Sequence, residues 1–304
     1  MALVTAVSEP EAGYELLDSG GGEKLERYGD IVLARPDPQA LWEKRLPAAT
    51  WKRADAWYER QGNGGTWHTK KDLPREWEIS FGGLSFLIRP TSFKHTGLFP
   101  EQKPNWEWLE EQCSVKSGQR SVKVLNLFAY TGGATLAAAK AGAEVVHLDA
   151  SKSAVSWAKE NAAVSGLLDK PIRWIVEDAL AFVKREEKRG NRYDGIIMDP
   201  PAFGHGPKDE LWKIEEHFLP IMRACSALLS EKPLFFLISG YASGYSPLAF
   251  AHNLAPLAER LGGLTAQAGD IEYGELTIRE SGKGGLPAQP GRLLPAGIFA
   301  RWHP

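Results

Sequence analysis

VKVLNLFAYTGGATLAAAKAG, residues 122–142, is the stretch on which the fold turns. Its first nine residues are almost all apolar, the pattern of a strand buried on both faces, and ATLAAAKAG (134–142) reads as an alanine-rich helix closed by Gly142. The unit then repeats. EVVHLDAS, IRWIVED, YDGIIMDPP and PLFFLISG read as further strands, with SAVSWAKENAAVSG and ALAFVKREEKRGN as the helices after the first two. Strands alternating with helices of this length imply an α/β fold with a parallel, doubly wound sheet, and such sheets bind ligands beyond the carboxyl ends of their strands.

The upstream residues follow another rhythm. YELLDSGGGEKLERYGDIVLARP and WEISFGGLSFLIRP read as short antiparallel pairs with glycine turns at 19–22 and 82–83. Between them a polar, tryptophan-rich stretch is expected to hold one short helix at PDPQALWEK. The expectation is a small, mainly antiparallel β accessory domain over residues 1–90 and an α/β domain over 91–304. At the end of the chain, YGELTIRESGKGGLPAQPGRLLPAGIFARW reads as two strands around a Gly/Pro loop, a hairpin closing the edge of the sheet.

Composition narrows the function classes. With 304 residues, 43% hydrophobic and 24% charged, and no block of like charge, the chain can bury a large core. The apolar run in MALVTAVSEPEAG lacks a basic flank and is interrupted by Ser8-Glu9-Pro10, so it does not read as a secretory signal, and no stretch approaches the ~18 apolar residues of a membrane span. Cys113 and Cys225 stand in helix-like contexts (LEEQCSV, IMRACSALL) without a metal-ligand spacing, which suits a reducing cytoplasm and no structural metal. A net charge of -2 argues against binding nucleic acid through a bulk positive field but leaves room for a local basic patch. Of eleven tryptophans, seven (Trp42, Trp51, Trp57, Trp67, Trp77, Trp106, Trp108) fall in the first 110 residues, where core packing is the expected use and a stacking surface for bases the alternative.

The Gly132-Gly133 pair after the first strand admits three readings: a phosphate cradle, a tight turn, or the floor of another ligand site. G-x-G-x-x-G is absent, and no lysine follows at the spacing of a P-loop, so the phosphate readings fall away. Asp149 ends the second strand seventeen residues past Gly132, where a carboxylate can accept from both hydroxyls of a ribose. The third strand ends in Glu177-Asp178-Ala179, and Asp178 can accept from an adenine amino group or simply cap the next helix. The fourth ends in Asp199-Pro200-Pro201-Ala202-Phe203. A nucleoside ligand without a pyrophosphate fits this row of strand ends.

The order of these motifs resembles the class I S-adenosylmethionine-dependent methyltransferases. NLFAYTGG, HLDASKSAVSWAKEN, EDALAFV and IIMDPPAFG resemble the branch that includes the bacterial large-subunit (23S) ribosomal RNA methyltransferases. KHTGLFPEQ (94–102) resembles the K-x-T-G-x-x-x-x-Q segment before that branch's Rossmann-like core, and residues 14–42 resemble the opening of further members; the likeness runs from about residue 14 to 250. The resemblance implies S-adenosyl-L-methionine as cofactor and RNA as partner. Tyr130, Thr131 and Gly132 would face its methionine part, Asp149 its ribose, Asp178 its adenine amino group and Asp199 the transferring methyl, with Ser151 and Ala179 also among its binding residues. Thr96 to Gln102 would close over it from the other side.

Methyl transfer from a sulfonium is an in-line displacement, so positioning and charge placement supply most of the catalysis. In the Asp-Pro-Pro-x-aromatic turn, the Asp199 carboxylate and the Pro200 carbonyl can accept from a target amino group while Phe203 stacks on a planar ring. Methylation at cytosine carbon 5 needs a cysteine nucleophile. In the relatives that perform it, that cysteine follows the fifth strand, but here LISGYASG (237–244) places Gly240 and Tyr241 there, with Tyr241 and Tyr245 left to line an acceptor pocket. An amino nitrogen of RNA is therefore the expected acceptor. The alternatives are a protein side chain or small aromatic metabolite as acceptor, or a non-catalytic RNA-binding factor that keeps the pocket. Lys94 and His95 read equally as solvated loop residues, Lys208 and Lys213 as phosphate contacts or a solvated face, and Phe203 as a stacking or a core ring.

Overall fold

Two kinds of strand, one apolar throughout and one alternating, divide the chain between two architectures. The computed structural model describes residues 1–62, 64–70, 73–92, 94–117, 121–241, 244–265, 270–282 and 291–304. In order these form β1 (Ala2–Ser8), β2 (Tyr14–Gly20), β3 (Glu23–Tyr28), β4 (Ile31–Pro36), α1 (Ala48–Trp51), β5 (Ala56–Gln61), β6 (Gly64–Thr69), β7 (Trp77–Phe81) and β8 (Leu84–Ile88). A 3-10 turn (Pro100–Gln102) and α2 (Lys103–Ser117) lead into β9 (Lys123–Leu127), α3 (Gly133–Lys140), β10 (Glu144–Asp149), α4 (Lys152–Val164), β11 (Ile172–Val176), α5 (Ala179–Lys188) and β12 (Gly195–Met198). The chain continues as β13 (Phe203–His205), β14 (Leu211–Lys213), α6 (Ile214–Leu228), β15 (Phe235–Gly240), α7 (Pro247–Thr265), β16 (Asp270–Arg279) and β17 (Leu293–His303). It makes two compact units, one of residues 1–6, 105–275 and 297–304, the other of 7–104 and 276–296.

The larger sheet has the order β1-β16-β17-β15-β12-β9-β10-β11. β9 pairs in parallel with β10 and β12, β10 with β11, and β12 with β15, while β17 runs antiparallel to β15. This is the Rossmann-like, doubly wound α/β sheet expected from the sequence. Each strand is apolar on both sides because each side has its own core: Leu125, Leu127, Met198 and Ile238 meet α5, α6 and α7, whereas Val124, Ile197 and Leu237 meet α2 and α3. Strand order reverses between β9 and β12, the switch point at which sheets of this kind bind ligands.

Two expectations need correction. The β16–β17 hairpin does not close the sheet, because β1 lies outside it. The apolar run 2–8 thus forms an edge strand, and Gly274 lets it approach: a Cβ there would sit 1.7 Å from the Val4 carbonyl oxygen. The loop between β16 and β17 lies partly outside the described residues. PDPQALWEK is not helical; the Asp37 carboxylate accepts from Gln39 N–H, and the carbonyls of Ala40 and Trp42 accept from Gly22 and Gly21, which leaves those groups no helical partner. The helix of this region is α1.

The other unit holds a five-stranded sheet in the order β2-β3-β4-β5-β6 and the hairpin β7–β8. The pairs are antiparallel except β4–β5, which α1 connects as a parallel crossover. Gly82 and Gly83 (φ 60° and 69°) make the β7–β8 turn. Trp51 is buried, and Trp42, Trp67 and Trp77 are half-buried with each indole N–H on a carbonyl oxygen; Trp57 is exposed and stacks on His68.

At the centre of this unit lies a buried ionic cluster. Glu26, fully buried, accepts from Arg35 Nε at 2.7 Å, Arg35 Nη2 at 2.8 Å and Tyr14 Oη at 2.9 Å. Burial alone would raise the Glu26 carboxyl, but the Arg35 guanidinium, Lys24 and the hydrogen bonds bring it down to about 2. A depressed carboxyl stabilises the fold above its unfolded pKa and loses that contribution as pH falls toward the folded one. Glu26→Gln is therefore expected to cost about 3 to 5 kcal/mol in denaturant melts at pH 7, because Arg35 is left buried and uncompensated. The gap from wild type should narrow as pH is lowered from 5 toward 2.

Candidate functional site

The turn after β9 is held in an unusual backbone state. Phe128 (φ 57°), Tyr130 (φ 47°) and Gly132 (φ 92°) alternate in the left-handed region, a state that costs non-glycine residues of order 1–2 kcal/mol each. Four bonds fix it: Ala129 N–H donates to Leu148 O at 3.0 Å, Tyr130 N–H to Asp149 Oδ2 at 2.9 Å, Gly132 N–H to Ala129 O at 3.0 Å, and Asn161 Nδ2 to Thr131 O at 2.9 Å. The other Asp149 oxygen accepts from Ser151 N–H at 2.8 Å. Asp149 thereby ties the end of β9 to the start of α4, whose N-cap is Ser151. Burial raises its carboxyl, and the two backbone donors oppose that.

The two glycines have different reasons to be glycine. Gly132 supplies the positive φ, and a Cβ on it would come 3.1 Å from Ala158 Cβ. Gly133 supplies room, since a Cβ there would lie 2.4 Å from Cζ2 of the buried Trp106. Beneath the turn runs a buried chain absent from the sequence reading. Asn126 Nδ2 donates to Thr135 Oγ1 at 2.9 Å, and that oxygen is 2.9 Å from Nδ1 of His147. Burial, with Lys159 nearby, holds His147 down to about 3, so it is neutral. Its Nε2 is buried with no hydrogen-bond partner among the described residues. The only sequence signal was a polar residue inside an otherwise apolar strand, at Asn126 and again at His147.

The remaining strand ends lie along the same edge of the sheet. Asp178 is the N-cap of α5, with Oδ1 accepting from Ala181 N–H at 2.8 Å, so the capping use is real; Ala179 follows it, buried. Asp199 is half-buried at the end of β12, its N–H donating to Leu127 O at 3.4 Å. Burial pushes its carboxyl up to about 6, against a hydrogen bond from Ser239 at the end of β15. Pro200 is buried, and the Pro201 carbonyl accepts from Trp212 Nε1 at 2.7 Å, which fixes the turn. Phe203 is 57% exposed, so it is not a core ring. Tyr241 is half exposed, while Tyr245 Oη donates to Glu215 Oε1 at 2.8 Å; residues 242–243 lie outside the described set.

Tyr130, Thr131, Gly132, Asp149, Ser151, Asp178, Ala179, Asp199, Pro200 and Phe203 thus fall within one unit, on four turns at the carboxyl ends of β9 to β12. Thr96 and Gln102 belong to the other unit. There Thr96 is buried with its hydroxyl 3.3 Å from Tyr28 Oη, and Gln102 ends the 3-10 turn. Lys94 (φ 64°) gives its carbonyl to Arg35 Nη1 at 3.0 Å, and burial with Arg35 and Lys94 nearby holds His95 down to about 4. Neither is a solvated loop side chain. A separate cavity of about 680 Å³, lined by Lys123, Glu144, Lys170 and Arg173 among others, lies at the opposite, amino ends of the strands.

The residues at the carboxyl ends fit a nucleoside ligand. Each Asp149 oxygen uses one lone-pair direction on backbone N–H, leaving further acceptor capacity for a diol. The glycine turn presents backbone rather than side chains, and no phosphate-binding glycine run is present.

Comparison with known proteins agrees with this geometry. Residues 54–233 match the family model described as S-adenosylmethionine-dependent methyltransferase. The crystal structure of a SAM-dependent methyltransferase from Agrobacterium tumefaciens is 42% identical, with a TM-score of 0.87 over 100% of this chain and 95% of that one. A methyltransferase crystallised with SAH shares the fold at 18% identity and a TM-score of 0.65, over 96% of this chain and 75% of that one. Among curated relatives, the ribosomal RNA large subunit methyltransferase K/L of Shewanella frigidimarina is 28% identical over 206 residues, 67% of this chain. The match spans only 27% of that longer relative.

The packing at Gly133 gives a direct test. Gly133→Ala should destabilise the protein by about 1–3 kcal/mol through overpacking and shift the tryptophan emission. Adding Trp106→Phe should recover part of the loss, a coupling readable in a double-mutant cycle of thermal melts.

Proposed function

The chain belongs to the S-adenosylmethionine-dependent methyltransferases, and on that premise we propose that its methyl acceptor is an amino nitrogen of RNA, ribosomal RNA first among the candidates. The observation that carries the reading is the pairing of a half-buried carboxylate at the switch point, Asp199, with an exposed aromatic ring four residues on, Phe203. Relatives over most of this chain are ribosomal RNA methyltransferases, which supports the choice of acceptor. When bound, the cofactor supplies a sulfonium methyl group. Asp149 and Ser151 are suited to hold the ribose, Asp178 and Ala179 the adenine, and the Tyr130-Thr131-Gly132 turn the amino-acid end.

Toward the acceptor, Asp199 and the Pro200 carbonyl take hydrogen bonds from an amino group, which turns the nitrogen lone pair toward the methyl carbon. A planar base stacked on Phe203 keeps that nitrogen in line. Cytosine carbon 5 is disfavoured because attack there needs a thiolate. Both cysteines are fully buried, and burial raises both thiols, that of Cys113 to about 12. Their free state agrees with action in the reducing cytoplasm, where ribosomal RNA is made.

The reading is tested in two steps. S-adenosylmethionine at about 100 times its dissociation constant should raise the melting midpoint of stripped wild type by roughly 5 °C or more, with no effect of NAD and none on Asp149→Ala. Label from the cofactor methyl should then enter large-subunit RNA, and Phe203→Ala and Asp199→Ala should lose transfer while still binding cofactor. Label entering a metabolite or protein fraction but not RNA would move the acceptor to the alternative class.

Turnover has a pH signature. Below about 6 the Asp199 carboxyl is protonated and loses the charge that makes it a strong acceptor. The free enzyme's kcat/KM should therefore climb with pH through that value and level off above it. In Asp199→Asn the climb should vanish along with most of the rate, roughly 10²-fold or more.

A further inference from the structure

The Asp199 turn runs straight into the β13–β14 hairpin, whose two faces differ. Phe203 opposes Lys213, Gly204 opposes Trp212 and His205 opposes Leu211. Directly opposed residues share a face, so Phe203, His205, Leu211 and Lys213 lie on one side and Gly204 and Trp212 on the other. The Trp212 side is anchored: the ring is buried, packs on Phe128 at 4.8 Å and on His217 at 5.5 Å, and donates to the Pro201 carbonyl. The opposite side faces solvent. Phe203 is 57% and Leu211 44% exposed, and the His205 and Lys213 side chains are 51% and 41% exposed. A solvent-facing side of so short a hairpin is ordinarily polar, yet this one carries two rings and a leucine.

The two rings are placed rather than loose. His205 Nδ1 is 2.8 Å from Asp209 Oδ1, and Asp209 itself holds a left-handed turn (φ 66°) closed by its N–H on Gly206 O at 3.0 Å. Phe203 and His205 meet edge to face, centroids 5.2 Å apart and planes at 79°. Two rings that sandwich one base must be near parallel and roughly 7 Å apart, twice the contact distance of carbon atoms. This pair cannot do that. A planar group stacked on one ring is therefore not shared with the other.

We propose that His205 is a substrate-binding residue that stacks on the nucleotide next to the methyl acceptor, while Phe203 takes the acceptor itself. This rests on the RNA reading above and deepens it, making the grip on one flanking nucleotide, whatever its base, a property of the hairpin. Asp209 is a positioning residue that orients the imidazole.

The test is label transfer from S-adenosylmethionine to large-subunit ribosomal RNA, with KM and kcat measured separately. His205→Ala should raise the KM for RNA roughly ten-fold, the usual scale for losing one base-stacking contact, with kcat within about two-fold and cofactor affinity unchanged. His205→Phe, which keeps a ring, should restore most of the KM, and Asp209→Ala should raise it to a lesser degree. An unchanged KM in His205→Ala, while wild type still labels RNA, would overturn the assignment and leave the RNA reading intact. A wild type that labels no RNA at all would overturn the reading and the inference with it.

Discussion

The carboxylate of Asp149 is the point from which the candidate site is built. Its two oxygens take the N–H groups of Tyr130 and Ser151, so one side chain joins the turn after β9 to the helix after β10. That turn would not form on its own, since Phe128 and Tyr130 both occupy left-handed backbone. Asn161, reaching from α4 to the Thr131 carbonyl, secures it from the same helix. Strain held in this way gives the cleft a fixed floor of backbone groups, which is what a ligand bound by shape and hydrogen bonds needs. Burial raises this carboxyl while its two backbone donors oppose the rise, and each oxygen keeps acceptor capacity beyond those bonds.

The smaller unit uses buried polar contacts differently. Around Glu26, the cations Arg35 and Lys24 and the hydroxyls of Tyr14 and Tyr28 saturate one carboxylate. Arg35 also takes the Lys94 carbonyl, and Tyr28 meets Thr96. A second buried acid, Asp18, receives N–H groups of Arg45 and Leu46, the Trp51 indole and Arg292. In β strands this short, apolar area is limited, and a slipped pairing would leave one of these buried charges unpaired, at a cost of several kcal/mol. Replacing them by apolar side chains would remove that penalty on wrong pairings.

What the sequence disclosed follows from how each element is buried. β9, β10, β12 and β15 are covered on both faces, so they appear as apolar runs, and the acids Asp149 at the end of β10 and Asp199 just after β12 stand out because charge returns where burial stops. β1 is an edge strand with exposed Leu3, and its short apolar run ALVTAVS stands apart from the strand–helix repeat, with no signal of the strand it would pair with. β5 and β6 are a hairpin with one wet face, and the polar half of AWYERQ and GGTWHT hid the alternation. β13 and β14 are three residues each, too short for any period. Glu26, Arg35 and Asp18 look like surface charges in sequence, since their burial depends on partners far along the chain. Gly133 was legible as a glycine but not as a contact of Trp106, which lies 27 residues earlier.

The environment of Asp199 also separates the chemistries open to this fold. A carboxyl that burial has lifted toward neutrality accepts a hydrogen bond more strongly than an exposed one, yet remains largely ionised at pH 7. That suits an exocyclic amine, whose lone pair is delocalised into the ring until a strong acceptor draws on its N–H. Attack at cytosine carbon 5 requires a thiolate, and both thiols are sealed in α2 and α6. Ser239, whose hydroxyl faces Asp199 from the end of β15, limits how far the carboxyl is lifted. The residue that follows that strand is Tyr241, so β15 brings a hydroxyl to the Asp199 carboxyl and no thiol after it.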